Sequence, residues 1–454
     1  VDLPVPLDRT TVHDEAELVA AIEGAAPGDE IVVAGGRYQD VQVEIDLAAR
    51  AESPLVIRSE EAGEAVFGGT TQFLLSGAHI QCSGLRFAHS DQVPQFGVFN
   101  LREAEQCRIS RCSFEDLEGM WGTIVVHHGA SENRIDHNSF ANCRHRAVRL
   151  GLHEEVKEFG VPVNNRIDHN LIRDIPDSGG GSAEAIALGS WGYPWNQYET
   201  HCLVEHNLFL RCNGENEIIT VKTGSNVIRR NAFIHCTSGE LVLRSTANTV
   251  VAGNRFEYSN HGIRISGAGH RVVDNVIVEP EHTGIRMTYG SDDPTHPTTY
   301  NQVHSTVVAN NTVVNAGDTG IRIGDFKGNS ATYEQFTEPP FNHPTGRYTL
   351  DVPPHDCVIV NNVVVGEQGG TPEPGFGVEV LDDDRTLGRQ RVRRLGVLSD
   401  GRHRRRPDDA LVPADALPEQ GSFGVPVEVQ HLAVVVVQGV RDPLGRLGHQ
   451  RVQI

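Results

Sequence analysis

The sequence has only three lysines in 454 residues, Lys157, Lys222 and Lys327, with three tryptophans and two methionines. Long runs of Ala, Leu, Glu and Lys are missing, which excludes a protein built from helices. No CxxC pair occurs, which argues against a structural zinc site. The longest apolar run, LAVVVV from Leu432, is far too short to cross a bilayer. Positive charge is in deficit: the formal balance is −21. That excludes a nucleic acid or an anionic membrane gripped by the surface as a whole. A polyanionic partner needs a local basic strip that overrides the global field. A charged-then-apolar leader is also missing, and the chain begins at Val1 as a processed mature form would. A missing leader by itself says little about localisation, and the expectation remains a secreted or periplasmic protein of a bacterium.

Gly, Asn, Val and Ile are abundant, so the chain reads as mostly β, with length enough for one large or two medium domains. The eight cysteines do not fit a small disulfide scaffold. Cys143, Cys212 and Cys236 each follow a turn asparagine by five residues, which suits a stack of small buried side chains. One helix is expected near the start. Asp14 and Glu17 have capping-box spacing, Leu18, Val19 and Ile22 share a face, and Gly24 stops it, so residues 12–24 would form a lid over an open sheet end.

From about His79 an internal repeat decides the fold. Its units include NRIDHNSF at Asn133, NRIDHNLI at Asn165, CLVEHNLF at Cys202, NVIRRNAF at Asn226 and STVVANNTV at Ser305. Each places β-branched residues two apart, then an Asn at a bend. The bend asparagines Asn207, Asn231, Asn254 and Asn275 are spaced by 24, 23 and 21 residues, the length of one three-strand coil. Asn tolerates left-handed backbone there, and stacked amides can bond from coil to coil. The expected fold is all-β: a right-handed, single-stranded parallel β-helix over residues 1–380 with an N-terminal capping helix. Wider gaps, Asn138 to Asn170 to Asn207 and Asn275 to Asn311, mark inserted loops. His137, His169 and His206 precede bends and read as turn hydrogen-bonders rather than a metal column. His127 and His128 should face opposite ways on a strand.

The repeat carries a second pattern, Val221-Lys222, Leu243-Arg244, Ile263-Arg264, Ile285-Arg286 and Ile321-Arg322. Read in register, these five cations form a basic column on one outer face, a groove for a linear polyanion whose carboxylates recur at about the coil rise. The loop GSWGYPWNQY concentrates aromatics, and Trp191 and Tyr193 are candidate sugar contacts.

Chemistry centres on CNGENEIITVKTGSNVIRRNAFIHCTSGELVLR, Cys212 to Arg244. Glu215 and Glu217 lie two apart, so in an extended chain they share a face and offer oxygen ligands to a hard cation such as Ca²⁺. A cation there would neutralise a substrate carboxylate and acidify the adjacent C–H. Lys222 is placed to act as base, and Arg244 to stabilise developing charge or assist the departing oxygen. An ordinary exposed ion-pair cluster is the plainer alternative.

The runs NGENEIITVKTGSNVIRRNAF, GELVLR, HGIRISGAGHRVVDN and STVVANNTVVN resemble polysaccharide lyase family 6, the alginate lyases and chondroitinase B, over about residues 25–365. The resemblance implies Ca²⁺ on Glu215 and Glu217, Lys222 as base, Arg244 as acid, and β-elimination on a uronic-acid polymer, alginate before dermatan or chondroitin sulfate. Arg264, Arg286, Arg322, Ser245 and His270 are the further expected substrate contacts. Two departures stand out. The family's calcium-site Asn is missing from GGSAEAIALG at Gly180, where Ser182 or Glu184 would substitute, and Ser245 stands where His commonly follows the catalytic Arg. The competing readings are a non-catalytic carbohydrate-binding solenoid, and a β-helical hydrolase or epimerase, for which Asp382 to Asp384 lie too near the end of the repeat.

From Arg385 the texture changes: a dozen arginines, no Lys, no Asn and no aromatic but Phe423. Residues 385–454 are expected to be an atypical, poorly ordered segment.

Overall fold

The computed structural model describes residues 6–119, 121–152, 156–177, 181–190, 194–291, 300–332, 347–366, 378–380, 434–441 and 447–453. Short strands recur in threes. Every third strand pairs in parallel with the next of its kind, which gives two sheets of 12 strands and one of 15 whose last two strands are antiparallel. This is a right-handed parallel β-helix, the hand that parallel crossovers take.

Each strand is short because only its inward residues can be apolar; the bend between strands must turn the chain within a few residues. Inside, like side chains stack on like. Phe87, Phe114 and Phe140 lie with ring centroids 5.3 and 4.7 Å apart, and Phe209, Phe233 and Phe256 follow at 4.7 and 4.4 Å. All eight cysteines are free and buried, the stack of small side chains that their spacing implies.

The bends are held by an amide ladder. Asn138, Asn170, Asn207, Asn231, Asn254, Asn275 and Asn311 each donate Nδ2 to the Oδ1 of the next asparagine at 2.9–3.0 Å, and Asn362 ends the ladder as acceptor. Each Oδ1 also takes a backbone N–H, as Asn231 takes that of Asn207 at 3.0 Å. The left-handed residue is not the asparagine, as its bend position implied, but the one before it. His137, His169, His206, Arg230, Asp274, Asn310 and Asn361 have φ of +54° to +57°. The asparagine itself is needed for its amide.

His137 and His169 bond through Nδ1 to Asp136 and Asp168 at 2.7 Å. Their rings stack with His206 at 5.0 Å spacing, so this column belongs to the turns. His127 and His128 are not splayed apart: their ring centroids are 4.1 Å apart, because the strand ends at His127 and His128 turns left-handed at φ +47°.

The lid helix runs Glu15–Glu23, with Asp14 accepting from the Glu17 N–H at 2.8 Å and Leu18 and Ile22 buried. The wide asparagine gaps hold insertions, including the helix Val156–Phe159 and the single turn Trp195–Gln197. Of the Arg-rich C-terminal segment, residues 381–433 lie outside the described residues. Strands Val434–Arg441 and Leu447–Gln453 continue the 15-stranded sheet, antiparallel to Cys357–Val360 and to each other.

His270, expected at the substrate, belongs instead to a second internal ladder. It is fully buried, its Nδ1 accepts the Thr249 N–H at 3.2 Å, and its other nitrogen lies 3.3 Å from the Ser266 carbonyl. Asn133, Asn165 and Asn226 accept backbone N–H groups in the same way in other coils.

Two outcomes follow from these ladders. Asn231→Ala orphans buried partners on both sides and should cost about 3 kcal/mol. Asn362→Ala, at the half-buried end, should cost visibly less when urea midpoints are compared. Burial depresses the His270 imidazole to about 4. Its full contribution is present above the unfolded value near 6.5, and is lost as pH falls from there towards 4. Stability should drop by up to about 3 kcal/mol over that window, and His270→Asn should flatten the drop.

Candidate active site

The functional side chains stand on the outer face of the 12-stranded sheet containing strands Ile186–Leu188, Glu217–Val221, Glu240–Ala247, Ile263–Ala268, Ile285–Thr288 and Ile321–Asp325. Val221 pairs with Leu243, so Lys222 and Arg244 stand one strand apart, as their 22-residue spacing implied.

The five cations do not form one column. Arg264 pairs with Val242, not with Arg244, and continues to Arg286 and Arg322. Lys222 and Arg244 thus occupy one row, and Arg264, Arg286 and Arg322 another, two residues nearer the strand starts. The signal was present: the step from Arg244 to Arg264 is 20 residues, where the flanking steps are 22. An even offset keeps all five on one face but separates their tasks.

Most of the second row is not open to a ligand. Arg264 is 3% exposed, its guanidinium hydrogen-bonded to Glu217 and 3.4 Å from Glu240. Arg286 bonds Glu240 and reaches Asp325 at 2.9 Å. Burial works against the charge on Arg264, but Glu240, Tyr300 and Glu217 outweigh it and raise its affinity for the proton. The Tyr300 ring lies 5.5 Å from Arg244 and 5.6 Å from Arg264, and the Phe326 ring 4.9 Å from Arg286, cation–π contacts that fix the planes of these guanidinium groups. Arg322 is half-buried, and its Nη2 donates to Thr319 Oγ1 at 3.3 Å.

The acids form the other half of the site. Glu184, Glu215 and Glu217 each offer an oxygen within 4.8 Å of the others. Glu184 comes from the segment that lacks the asparagine, and Ser182 contributes its backbone N–H to Glu215 at 3.2 Å. Lys222 Nζ donates to Glu184 at 3.0 Å, and Arg146 Nε lies 2.7 Å from the second Glu184 oxygen. Burial opposes ionisation of Glu184, yet Lys222 and Arg146 overcome it and lower its carboxyl to about 2. Glu217 likewise stays ionised despite burial, through Arg244 at 3.1 Å and Arg264. Glu215 is left with the cost: burial first, then the charges of Glu184 and Glu217, push it up to about 8.

This donor set fits a hard divalent cation. All three ligands are carboxylates, and the buried Glu217 Oε2 has no hydrogen-bond partner among the described residues. An ion would relieve the crowding that keeps Glu215 protonated.

Ser245 is 3% exposed with φ +56°, just after Arg244 where the pairing slips register. Its hydroxyl accepts the Asn301 N–H at 3.1 Å. It therefore anchors the loop that carries Tyr300. Trp191 and Tyr193 lie outside the described residues. The sequence reading missed Arg146, Tyr300 and Phe326, which come from other coils or loops, and Glu240, which opens the strand that carries Arg244. Glu240 alone had a sequence signal, the acid four residues before Arg244.

The family profile of chondroitinase B matches residues 12–345. Among curated proteins no sequence matches the chain significantly. Several solved structures share the fold. A mannuronic acid specific polysaccharide family 6 lyase from human gut microbiota is 24% identical with TM-score 0.66, covering 84% of each chain. The family 6 alginate lyase AlyGC is 24% identical with TM-score 0.67, covering 83% of this chain and 50% of that one. Pedsa3628, a family 6 polysaccharide lyase of Pseudopedobacter saltans, is 19% identical with TM-score 0.65, covering 86% and 97%. With three quarters of its length matched by the family and a lysine–arginine pair set beside three converging carboxylates, the chain belongs to the chondroitinase B family of polysaccharide lyases, polysaccharide lyase family 6.

Proposed function

We propose that this protein cleaves a uronic-acid polymer, alginate, by β-elimination, outside the cytoplasm of a bacterium and with Ca²⁺ on Glu184, Glu215 and Glu217. The observation that carries the reading is the adjacency of Lys222, Arg244 and the three carboxylates on one face. Lys222, after releasing to solvent the proton that pairs it with Glu184, would take the proton from C5 of the uronate. The electron pair forms the C4–C5 double bond, and the C4–O4 bond breaks, O4 leaving with that bond's electrons and taking a proton from solvent. Arg244, fixed by Glu217 and Tyr300, would stabilise the charge that develops on the departing O4. The cation, when bound, would neutralise the substrate carboxylate and so acidify C5–H. Glu184 is the acid that links the two functions, since it is both a candidate ligand and the partner of the Lys222 ammonium.

Alginate is preferred to dermatan or chondroitin sulfate because the structural relatives are named as alginate or mannuronate lyases. A purely binding solenoid is disfavoured because the cations it would need, Arg264 and Arg286, are spent on Glu217, Glu240 and Asp325.

Alginate mixed with the protein should develop ultraviolet absorbance from unsaturated ends. Lys222→Ala should lower the rate by a factor of about 10² to 10⁴. Reducing ends without absorbance would mean hydrolysis and would remove both assigned roles. A chelator should slow the reaction, and Glu184→Gln should weaken calcium binding measured by calorimetry. Because Glu215 is raised to about 8, it carries a proton at pH 7 that an entering cation must displace. Calcium affinity should therefore rise with pH up to about 8, and calorimetry in buffers of different ionisation enthalpy should show about one proton released.

A further inference from the structure

The same face continues for three coils on the N-terminal side of Lys222, and nothing in the reaction above uses it. Val221 is in register with Leu188, Leu150 and Val126, so below Lys222 stand Gly189, Gly151 and then His127. The neighbouring row runs from Thr220 through Ala187 to Arg149. Two glycines and an alanine make an uncharged floor, all three of them buried. At Gly189 a Cβ would come within 2.5 Å of Thr223 and 3.3 Å of Lys222, and φ is +100°, so no side chain fits.

Beyond this floor an aromatic band crosses the sheet. The Trp121 ring centroid is 5.0 Å from Phe96, and Phe96 stacks on His127 at 5.1 Å. His127 lies 4.1 Å from His128, which stacks on Phe159 at 5.2 Å. Phe96 and Trp121 enter from loops ahead of their strands; Phe159 comes from the inserted helix behind. Trp121, Phe96 and Phe159 are only half-buried. The Arg149 guanidinium sits 4.4 Å from the Trp121 ring centroid, at the edge of the band facing Lys222. Among the described residues Arg149 has no carboxylate within ion-pair distance, although every other cation near the acid triad has one.

We propose that this band is a remote sugar-binding platform, with the half-buried rings taking the apolar face of a uronate unit and Arg149 taking a carboxylate. The inference rests on the lyase reading for the class of ligand but not for the cleavage. Three coil steps are about 14 Å. A polyuronate rises by about one unit per coil, so the platform meets the chain about three sugars from the bond over Lys222. Stacking on an aromatic face and a charge-assisted pair are the two contacts that an acidic sugar offers at once. Burial lowers Arg149 to about 10, which still leaves it a cation at neutral pH.

The test is binding without turnover. In Lys222→Ala protein, titration calorimetry with mannuronate and guluronate trimers and octamers should show the octamer of the preferred sugar binding at least about tenfold more tightly. Adding Trp121→Leu should collapse that length advantage while the trimer is held as before, and Trp121→Phe should restore most of it. Arg149→Met should reduce the advantage, and the part it removes should be the part that salt weakens. A length advantage that survives both substitutions overturns the platform, as does equal weakening of trimer and octamer, which marks the rings as loop packing. If neither oligomer binds, the platform is also wrong. If the Lys222-intact protein eliminates nothing but the Trp121-dependent length advantage is present, the platform stands and the catalytic reading falls.

Discussion

Coil-to-coil hydrogen bonding in parallel register is the constraint on which everything else depends. A residue's height along the solenoid is set by its coil, and its direction by its place within the strand. Backbone bonding alone tolerates slippage, because many registers satisfy the same N–H and C=O groups. The asparagine ladder removes that freedom: each amide bonds the next amide, a backbone N–H and a carbonyl, and a coil shifted by one residue would leave these groups buried and unpaired. With register fixed, side chains far apart in sequence meet in rows.

The site exploits those rows by packing opposite charges in alternation. Arg146, Lys222, Arg244, Arg264 and Arg286 interleave with Glu184, Glu217, Glu240 and Asp325. Each buried charge is tolerable only because its neighbours oppose it, so the network is rigid. Glu215 is the exception, a carboxyl beside two carboxylates whose repulsion outweighs the opposing charge of Lys222. The imbalance lies where a cation would be expected. The arginines that a surface reading would give to the substrate hold the acids and Arg244 in place instead.

The same principle gives the face its length. Where Glu and Arg alternate, the face carries charge; where Gly151, Gly189 and Ala187 replace them, it carries none, and all three are buried. The aromatic band and Arg149 close that stretch. Reaction chemistry and chain-length recognition would then be neighbouring segments of one register.

By itself the sequence determined the β-helix, because an asparagine every 21 to 24 residues between β-branched pairs suits stacked coils, and Asp14 with Glu17 marked the lid helix. It also determined that Lys222 and Arg244 are neighbours, since a spacing of one coil translates directly into adjacency. Which residue at each bend is left-handed was not legible, because a bend motif shows a need for positive φ without showing where the amide must point. Tertiary structure alone decided that Arg264 and Arg286 are buried with Glu217 and Glu240, that His270 belongs to an internal ladder, and that Glu184 joins Glu215 and Glu217. Those outcomes depend on bulges, on loops of unequal length and on which oppositely charged group reaches a buried charge first. These are distances between coils, and a linear spacing does not encode them once an insertion has broken the repeat.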